Sequence, residues 1–314
     1  MANTPVVVLD DTLTNIANAI RGKNGSSDKY KPGQMADAID NIPAGGIGIP
    51  RDVSNGVYQM PEVTSFSLPS NATDVGRYAL ISAFDSCSSL TSVDLSSLTT
   101  ASGTGALRTA FADCTALTSV DLSSLATVSG EEAFSSTFSR CNKLTSVDLS
   151  SLTTVNAQQC FYNTFYYCKS LASVDLSSLT TVSGNNAFGY AFNNCDRITS
   201  VDLSSLTTVS GNGAFNNAFS SCTAITSVEF SSLTTMSGSQ VLYSAFSNCH
   251  KLTSLSFPAL TVDSFGSAVN QFENMLYRDT DCTVHFPAAI QAKIETMKGY
   301  PNFGGTNTTV LFDL

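Results

Sequence analysis

The chain has 314 residues, of which 42% are hydrophobic and only 13% are charged, so its polar surface must consist mostly of serine, threonine and asparagine. Its 15 basic and 25 acidic residues give a net charge of −10, which disfavours binding to the phosphate backbone of nucleic acids. Two histidines leave little room for a histidine-based catalytic pair or a multi-histidine metal site. Apolar runs are too short to cross a bilayer, so we expect no membrane insertion.

Residues 1–43 are predicted to form a small helical hairpin that serves attachment or oligomerisation. Leu13, Ile16 and Ile20 recur at the spacing of one helix face, and a second apolar face follows a Lys-Pro pair. The start of the sequence shows no basic region followed by an apolar run, so we expect no secretory signal. Residues 44–56 are glycine-rich and are interpreted as a linker and the entry to a cap.

A repeat of 27 residues dominates the middle of the sequence. Seven cysteines are separated by this one interval, each with a phenylalanine three residues before it and a leucine or isoleucine three residues after it. Equal intervals of this kind indicate a solenoid in which each repeat, here called a rung, packs on its neighbours. The cysteines are Cys87, Cys114, Cys141, Cys168, Cys195, Cys222 and Cys249.

Each rung is predicted to contain a short parallel strand and a short helix, so the fold class is an α/β repeat solenoid. Val93 alternates with Ser92 and Asp94 in the stretch LTSVDLSS, which is the pattern of a half-buried strand. The stretch AFGYAFNNC at 187–195 places its apolar residues at helical spacing. On this face a cysteine behaves as a small hydrophobe, so we expect the cysteines to be buried thiols, with only Cys282 unassigned.

The solenoid is expected over residues 57–290, with degenerate repeats at both ends. The stretch CTVHFPAAI at 282–290 supplies a last strand, and a helix is predicted near 288–298. Residues 291–314 then form a C-terminal cap.

The segments AFNNC, AFADC, AFSSC and AFSNC, with the strand LTSVDL, resemble the BspA-like, treponemal-type leucine-rich repeat. The resemblance covers about residues 57–290. It implies a leucine-rich-repeat rod or horseshoe built from 27-residue rungs, and it is far more specific for fold than for function. Many members of that family are secreted surface proteins, which implies adhesion.

The segment TLTNIANAIRGKNGSSDKYKPGQMADAIDNI resembles a segment common at the start of tail-region proteins of phages and prophages. This resemblance covers residues 10–43. It implies a protein of the virion tail that is made in the cytoplasm without a signal peptide, with a possible homo-oligomer formed through residues 10–43.

One acidic residue per rung forms a row along the strand side. Carboxylates flanked by serine hydroxyls are oxygen ligands for hard cations, which makes this row a weak candidate for metal binding. The alternative, which we favour, is a solvated sheet face; six similar carboxylates give no differentiated acid and base for catalysis. The row consists of Asp94, Asp121, Asp148, Asp175, Asp202 and Glu229.

The outward positions of the predicted helix vary from rung to rung, whereas the Ser-Asp-Ser positions of the strand barely change. Variation confined to one face is either neutral drift on solvated helices or recognition. Tyrosine supplies rigid contact area at little entropic cost, and flanking charges act mainly on the encounter rate. The candidate ligand-binding residues are Tyr162, Tyr166, Tyr167 and Tyr190, with Lys169 and Arg197 as rim charges.

The sequence therefore favours a non-enzymatic binding protein without a cofactor. The leading hypothesis is a phage or prophage tail-associated protein that recognises a protein or glycan on a host or mucosal surface. The alternative is a BspA-like adhesin at the bacterial cell surface or outside the cell, and the third hypothesis is a structural spacer.

Overall fold

The computed structural model describes residues 64–314 except positions 69 and 280. The predicted hairpin at 1–43 and the predicted linker at 44–56 lie outside the described residues. Within the described part, no helix is long and apolar enough to cross a membrane.

Sixteen short strands and one α-helical turn make up the regular structure of the described residues. The strands are β1 (Ser65–Ser67), β2 (Ser92–Asp94), β3 (Thr100–Ala101), β4 (Ser119–Asp121), β5 (Thr127–Val128), β6 (Ser146–Asp148), β7 (Thr154–Val155), β8 (Ser173–Asp175), β9 (Thr181–Val182), β10 (Ser200–Asp202), β11 (Thr208–Val209), β12 (Ser227–Glu229), β13 (Thr235–Met236), β14 (Ser254–Ser256), β15 (Thr283–Phe286) and β16 (Thr309–Phe312). Short 3-10 helices lie at Val262–Ser264 and Ala288–Ile290, and α1 spans Gln291–Ile294.

The strands stack into parallel sheets that run along the solenoid. One sheet has the order β1-β2-β4-β6-β8, a second continues on the same side as β10-β12-β14-β15-β16, and a third is β13-β11-β9-β7-β5-β3. The register places each residue beside its counterpart one repeat away, as in the pairing of Val120 with Val147. The predicted parallel solenoid with 27-residue rungs is therefore confirmed.

The prediction of a short helix in each rung is wrong. In its place the chain forms consecutive turns whose backbone amides alternate between two kinds of acceptor. Phe134 N–H donates to the carbonyl of Cys160 on the next rung at 2.8 Å, and Phe138 N–H donates to the carbonyl of Thr164 at 2.9 Å. Between them, Thr137 N–H donates to the Phe134 carbonyl at 3.1 Å, which is the three-residue span of a β-turn. This third side of the rung, the turn face, is thus tied to its neighbours like a sheet.

A left-handed residue at every fourth position builds these turns. Two residues point inward and two point outward per turn, so the apolar pattern repeats every four residues. Over nine residues that pattern resembles the 3.6-residue period of a helix. In two successive rungs the left-handed residues, with φ between 49° and 62°, are Gln159, Asn163 and Tyr167, then Asn186, Tyr190 and Asn194.

Two columns of stacked phenylalanine rings fill the interior. Adjacent rings lie 5.3–5.6 Å apart between centroids in one column and 5.0–5.2 Å apart in the other, within 8° of parallel. The first column is Phe84, Phe111, Phe138, Phe165, Phe192, Phe219 and Phe246, and the second is Phe134, Phe161, Phe188 and Phe215.

All nine cysteines are buried, including Cys282. The seven cysteines at the 27-residue interval form a column, and six of them, from Cys114 to Cys249, also have a polar role, because each of these thiols donates to a phenylalanine carbonyl of the preceding rung. Cys168 Sγ lies 3.1 Å from the Phe138 carbonyl oxygen, and Cys195 Sγ lies 3.1 Å from that of Phe165.

The C-terminal part continues the stack beyond the expected last strand. β15 and the helical segment starting at Ala288 fall where the sequence predicts them. The strand β16, which pairs in parallel with β15, was not predicted. The proposed boundaries 57–290 and 291–314 stay predictions.

From the backbone geometry of the turn face we expect glycine substitutions at two adjacent serines to have different effects on stability. Ser136 has φ 56°, whereas Ser135 is outside the left-handed region. Ser136→Gly relieves a left-handed penalty of about 1–2 kcal/mol against an entropic cost of about 0.5–1 kcal/mol, so it should be neutral or stabilising. Ser135→Gly should cost about 0.5–1 kcal/mol. Denaturant unfolding of both variants measures the difference; equal destabilisation would support a helix instead.

The burial of the thiols predicts that they react slowly with thiol reagents and that the fold loses stability at alkaline pH. Burial raises the pKa of Cys114, Cys160, Cys222 and Cys282 to about 12. A thiol reagent at mildly alkaline pH should therefore label the folded chain slowly, and all nine cysteines only in denaturant.

Proton linkage determines the direction in which pH changes the stability of the fold. Because the folded thiols hold their protons more tightly than the unfolded ones, their contribution to stability is complete below a pH of about 8.5 and is lost as the pH rises toward 12. The melting temperature should fall steeply above a pH of about 9. Rapid labelling of several cysteines in the native chain would contradict the buried column.

Candidate functional site

Four tyrosines lie on the turn face of two adjacent rungs as two ring pairs, and we call Tyr162, Tyr166, Tyr167 and Tyr190 the tyrosine patch. The rings of Tyr162 and Tyr190 meet edge to face, with centroids 5.7 Å apart. The rings of Tyr166 and Tyr167 lie 4.6 Å apart at an angle of 55°. Tyr167 is the most exposed of the four at 36%, and the other three are half-buried.

The backbone beneath the patch is fixed by rung-to-rung hydrogen bonds. Tyr167 N–H donates to the Asn193 carbonyl at 2.9 Å, and Tyr190 N–H donates to the Asn216 carbonyl at 2.8 Å. Both tyrosines are left-handed residues of the turns, so their side chains leave the surface from a defined backbone. The patch therefore stands on a rigid support.

A glycine makes room for one of the rings. Gly189 lies one repeat after Tyr162, and a Cβ at that position would come within 2.9 Å of the Tyr162 ring. The Tyr162 ring thus packs against the next rung at Gly189. Burial, and then the nearby Tyr190, raise the pKa of Tyr162, which keeps its hydroxyl protonated at neutral pH as both donor and acceptor.

The charged residues at the patch are placed differently from one another. Lys169 Nζ lies 2.9 Å from Asp196 Oδ2 and 4.5 Å from the centroid of the Tyr167 ring. Its charge is therefore shared with an acid and an aromatic face. Arg197 is exposed beside Asp196. The structure brings Lys169 into the patch and leaves Arg197 at its border.

The acidic row of the strand side has a structural role that sequence reasoning missed. In each of five rungs an aspartate oxygen accepts a hydrogen bond from the backbone N–H two residues further on, at 2.8–3.0 Å. This is the aspartate turn that ends a strand, and the recurring Asp-Leu-Ser order was its signal. The aspartates are Asp94, Asp121, Asp148, Asp175 and Asp202.

These bonds explain why the strand side hardly varies. Hydrogen bonds from Ser96 and Ser150 lower the pKa values of Asp94 and Asp148 respectively, which keeps both carboxylates ionised. The described residues contain no group of three or more metal-binding side chains placed to hold an ion. The side chain of Glu229 lies outside the described part. The constancy of the row follows from turn formation, and the row stays only a weak cation candidate.

Two solved structures illustrate what the chain is similar to. The Treponema pallidum leucine-rich repeat protein TpLRR is 24% identical, with a TM-score of 0.41, over 60% of this chain and 78% of that one. The pneumococcal vaccine antigen PcpA is 15% identical, with a TM-score of 0.30, over 80% of this chain and 79% of that one. Among curated proteins no significant match is found.

The family assignment comes from the sequence of the rungs. The model of the BspA type leucine-rich repeat region matches in six copies, over residues 51–188, 108–218 and 163–277. Together these matches span well over half of the chain and coincide with the stacked rungs. The chain therefore belongs to the BspA type leucine-rich repeat family.

Proposed function

We propose that this protein is a non-enzymatic adhesin of the bacterial cell surface or extracellular space, and that it binds a protein or glycan on a host cell surface through the tyrosine patch. Membership of the BspA type leucine-rich repeat family supports a protein-binding or adhesive role. The observation that carries the proposal is the placement of four partly exposed tyrosines, as two ring pairs, on two adjacent rungs.

The patch has the physical properties of a binding surface. A tyrosine loses little conformational entropy on binding, and a backbone already held by hydrogen bonds loses less still. The charge of Lys169 is balanced by Asp196, so the patch offers aromatic surface and hydroxyl groups rather than a strong charge. Such a surface suits a partner of low charge, because the net charge of −10 disfavours strongly acidic ones.

The tyrosines of the patch contribute little to the stability of the stacked rungs. Each rung is stabilised by its buried phenylalanines and by backbone bonds to its neighbours, whereas the patch tyrosines lie on the outer side of the turns. Substitution of the outer rings should therefore change binding much more than stability.

The phage-tail hypothesis receives no support from the family match, which begins at residue 51. It rests on the resemblance of residues 10–43 alone, and a homo-oligomer through that segment likewise stays a prediction. A structural spacer is the remaining alternative, and it differs from the adhesin by having no saturable ligand.

The test compares cell binding of the purified chain with that of the triple variant Tyr166→Ala, Tyr167→Ala and Tyr190→Ala. Epithelial cells and immobilised extracellular-matrix proteins and mucin glycans serve as the surfaces. If two of the three tyrosines each contribute about 1.4 kcal/mol, binding of the triple variant should weaken about a hundredfold.

Tyr277 provides the matched control, because it is a 45% exposed tyrosine of the turn face outside the patch. Tyr277→Ala should bind like the unchanged chain, and all variants should keep their melting temperatures within a few degrees. Equal binding by a folded triple variant would rule out the tyrosine patch. Absence of saturable binding to every surface would favour the spacer.

A further inference from the structure

A fully buried carboxyl lies where the last rungs meet the C-terminal segment. Asp279 has 0% exposure, and neither of its carboxyl oxygens has a hydrogen-bond partner among the described residues. An ionised carboxylate in such a place has lost its water without gaining a well-formed hydrogen bond, which is costly. The surroundings of Asp279 therefore favour the neutral acid.

An earlier pair of rungs offers a comparison, because there an acid and a base face each other across a rung junction but lie at the surface. Lys169 and Asp196 each follow a column cysteine, they pair across rungs at 2.9 Å, and the Asp196 side chain is 41% exposed. His250 also follows a column cysteine and faces Asp279 across the next rung junction. There the acid is buried, and its neighbour is a histidine instead of a permanently charged lysine.

The groups that face the Asp279 carboxyl do not neutralise it. His250 Nδ1 lies 3.7 Å from Oδ1, which is beyond a hydrogen bond, and the His250 side chain is 55% exposed. The thiols of Cys249 and Cys282 are the other titratable groups near it, and both are buried with raised pKa values. Burial raises the pKa of Asp279 from 3.8 to about 7, despite an opposing contribution from the Cys249 backbone.

The backbone of Asp279 holds the C-terminal segment. Its carbonyl accepts hydrogen bonds from Thr306 N–H at 2.9 Å and from Thr306 Oγ1 at 3.1 Å. Three residues later the chain enters β16, the terminal strand of its sheet. A movement of the Asp279 backbone that lets water reach its carboxyl therefore also disturbs Thr306 and the attachment of β16.

We propose that Asp279 is an acid-dependent latch: residues 306–314 are held closed on the solenoid in acidic surroundings and open progressively as the medium approaches neutral pH. Opening would uncover the edge of β15 and the buried residues beneath β16. This device is independent of the partner bound at the tyrosine patch.

The direction follows from proton linkage. The closed state holds the Asp279 proton more tightly than the open state, in which the carboxyl returns toward its ordinary pKa. The stabilising contribution is complete below a pH of about 4 and is lost as the pH rises through about 7. The opening equilibrium should increase by up to about tenfold per pH unit within that window.

Hydrogen exchange read by mass spectrometry tests the latch in the full chain. After correction for the intrinsic exchange rate, peptides covering residues 306–314 should open about tenfold more per pH unit between pH values of about 5 and 7. Asp279→Asn should remove most of this dependence. Asp196→Asn, at an exposed aspartate paired with Lys169, should leave it unchanged, and peptides of the central rungs should show no such dependence.

A second measurement uses the unchanged chain, so it can be interpreted even if the Asp279→Asn variant does not fold. Carbon-13 NMR titration of the Asp279 carboxyl in the unchanged chain should give a midpoint near pH 7. A midpoint near 4, or exchange of residues 306–314 that does not respond to pH, would overturn the proposal. Equal pH dependence in a folded Asp279→Asn variant would overturn it as well.

Discussion

The rung-to-rung hydrogen bonds of the turn face are the constraint on which the rest of this structure depends. Strands of two to four residues supply few ladder bonds, so sheets alone would join the rungs weakly. The turn face adds a bond at every second amide, as from Phe161 to the Ala187 carbonyl at 2.8 Å. Because buried amides must be paired, these bonds fix the separation and the register of neighbouring rungs.

A fixed register forces like residues to lie above one another, and the composition of the repeat follows from that. Phenylalanine stacks on phenylalanine, and a cysteine thiol donates to a phenylalanine carbonyl of the preceding rung. A Cβ on Gly211 would collide with the Gly184 carbonyl, so the corner of the rung needs glycine at this close approach. The repeated aspartates serve the strand ends in the same way, which explains their constancy without a ligand.

The sequence was sufficient for the solenoid, the first strand of each rung, the register and the burial of the repeat cysteines, because those depend on periodicity and apolar alternation. The two-residue second strand of each rung, such as Thr127–Val128, was not predicted. It was insufficient for the turn face, since a four-residue turn repeat and a helix give the same inward pattern over nine residues. The frequent asparagine and glycine at every fourth position, such as Asn163, Asn186 and Gly213, were the missed signal for left-handed backbone. The tyrosine patch could be anticipated as a cluster, but the ring contacts and the Lys169 pairing depend on the unforeseen turns.

Scalar couplings across hydrogen bonds test the turn-face ladder most directly, because they identify donor and acceptor without a structural assumption. In deuterated protein, the amide nitrogen of Phe138 should couple to the carbonyl carbon of Thr164, and that of Phe165 should couple to the carbonyl carbon of Ala191. Coupling of Phe138 to Phe134, four residues earlier, would instead show an α-helix. That result would contradict the ladder and the rigid support it gives to the tyrosine patch.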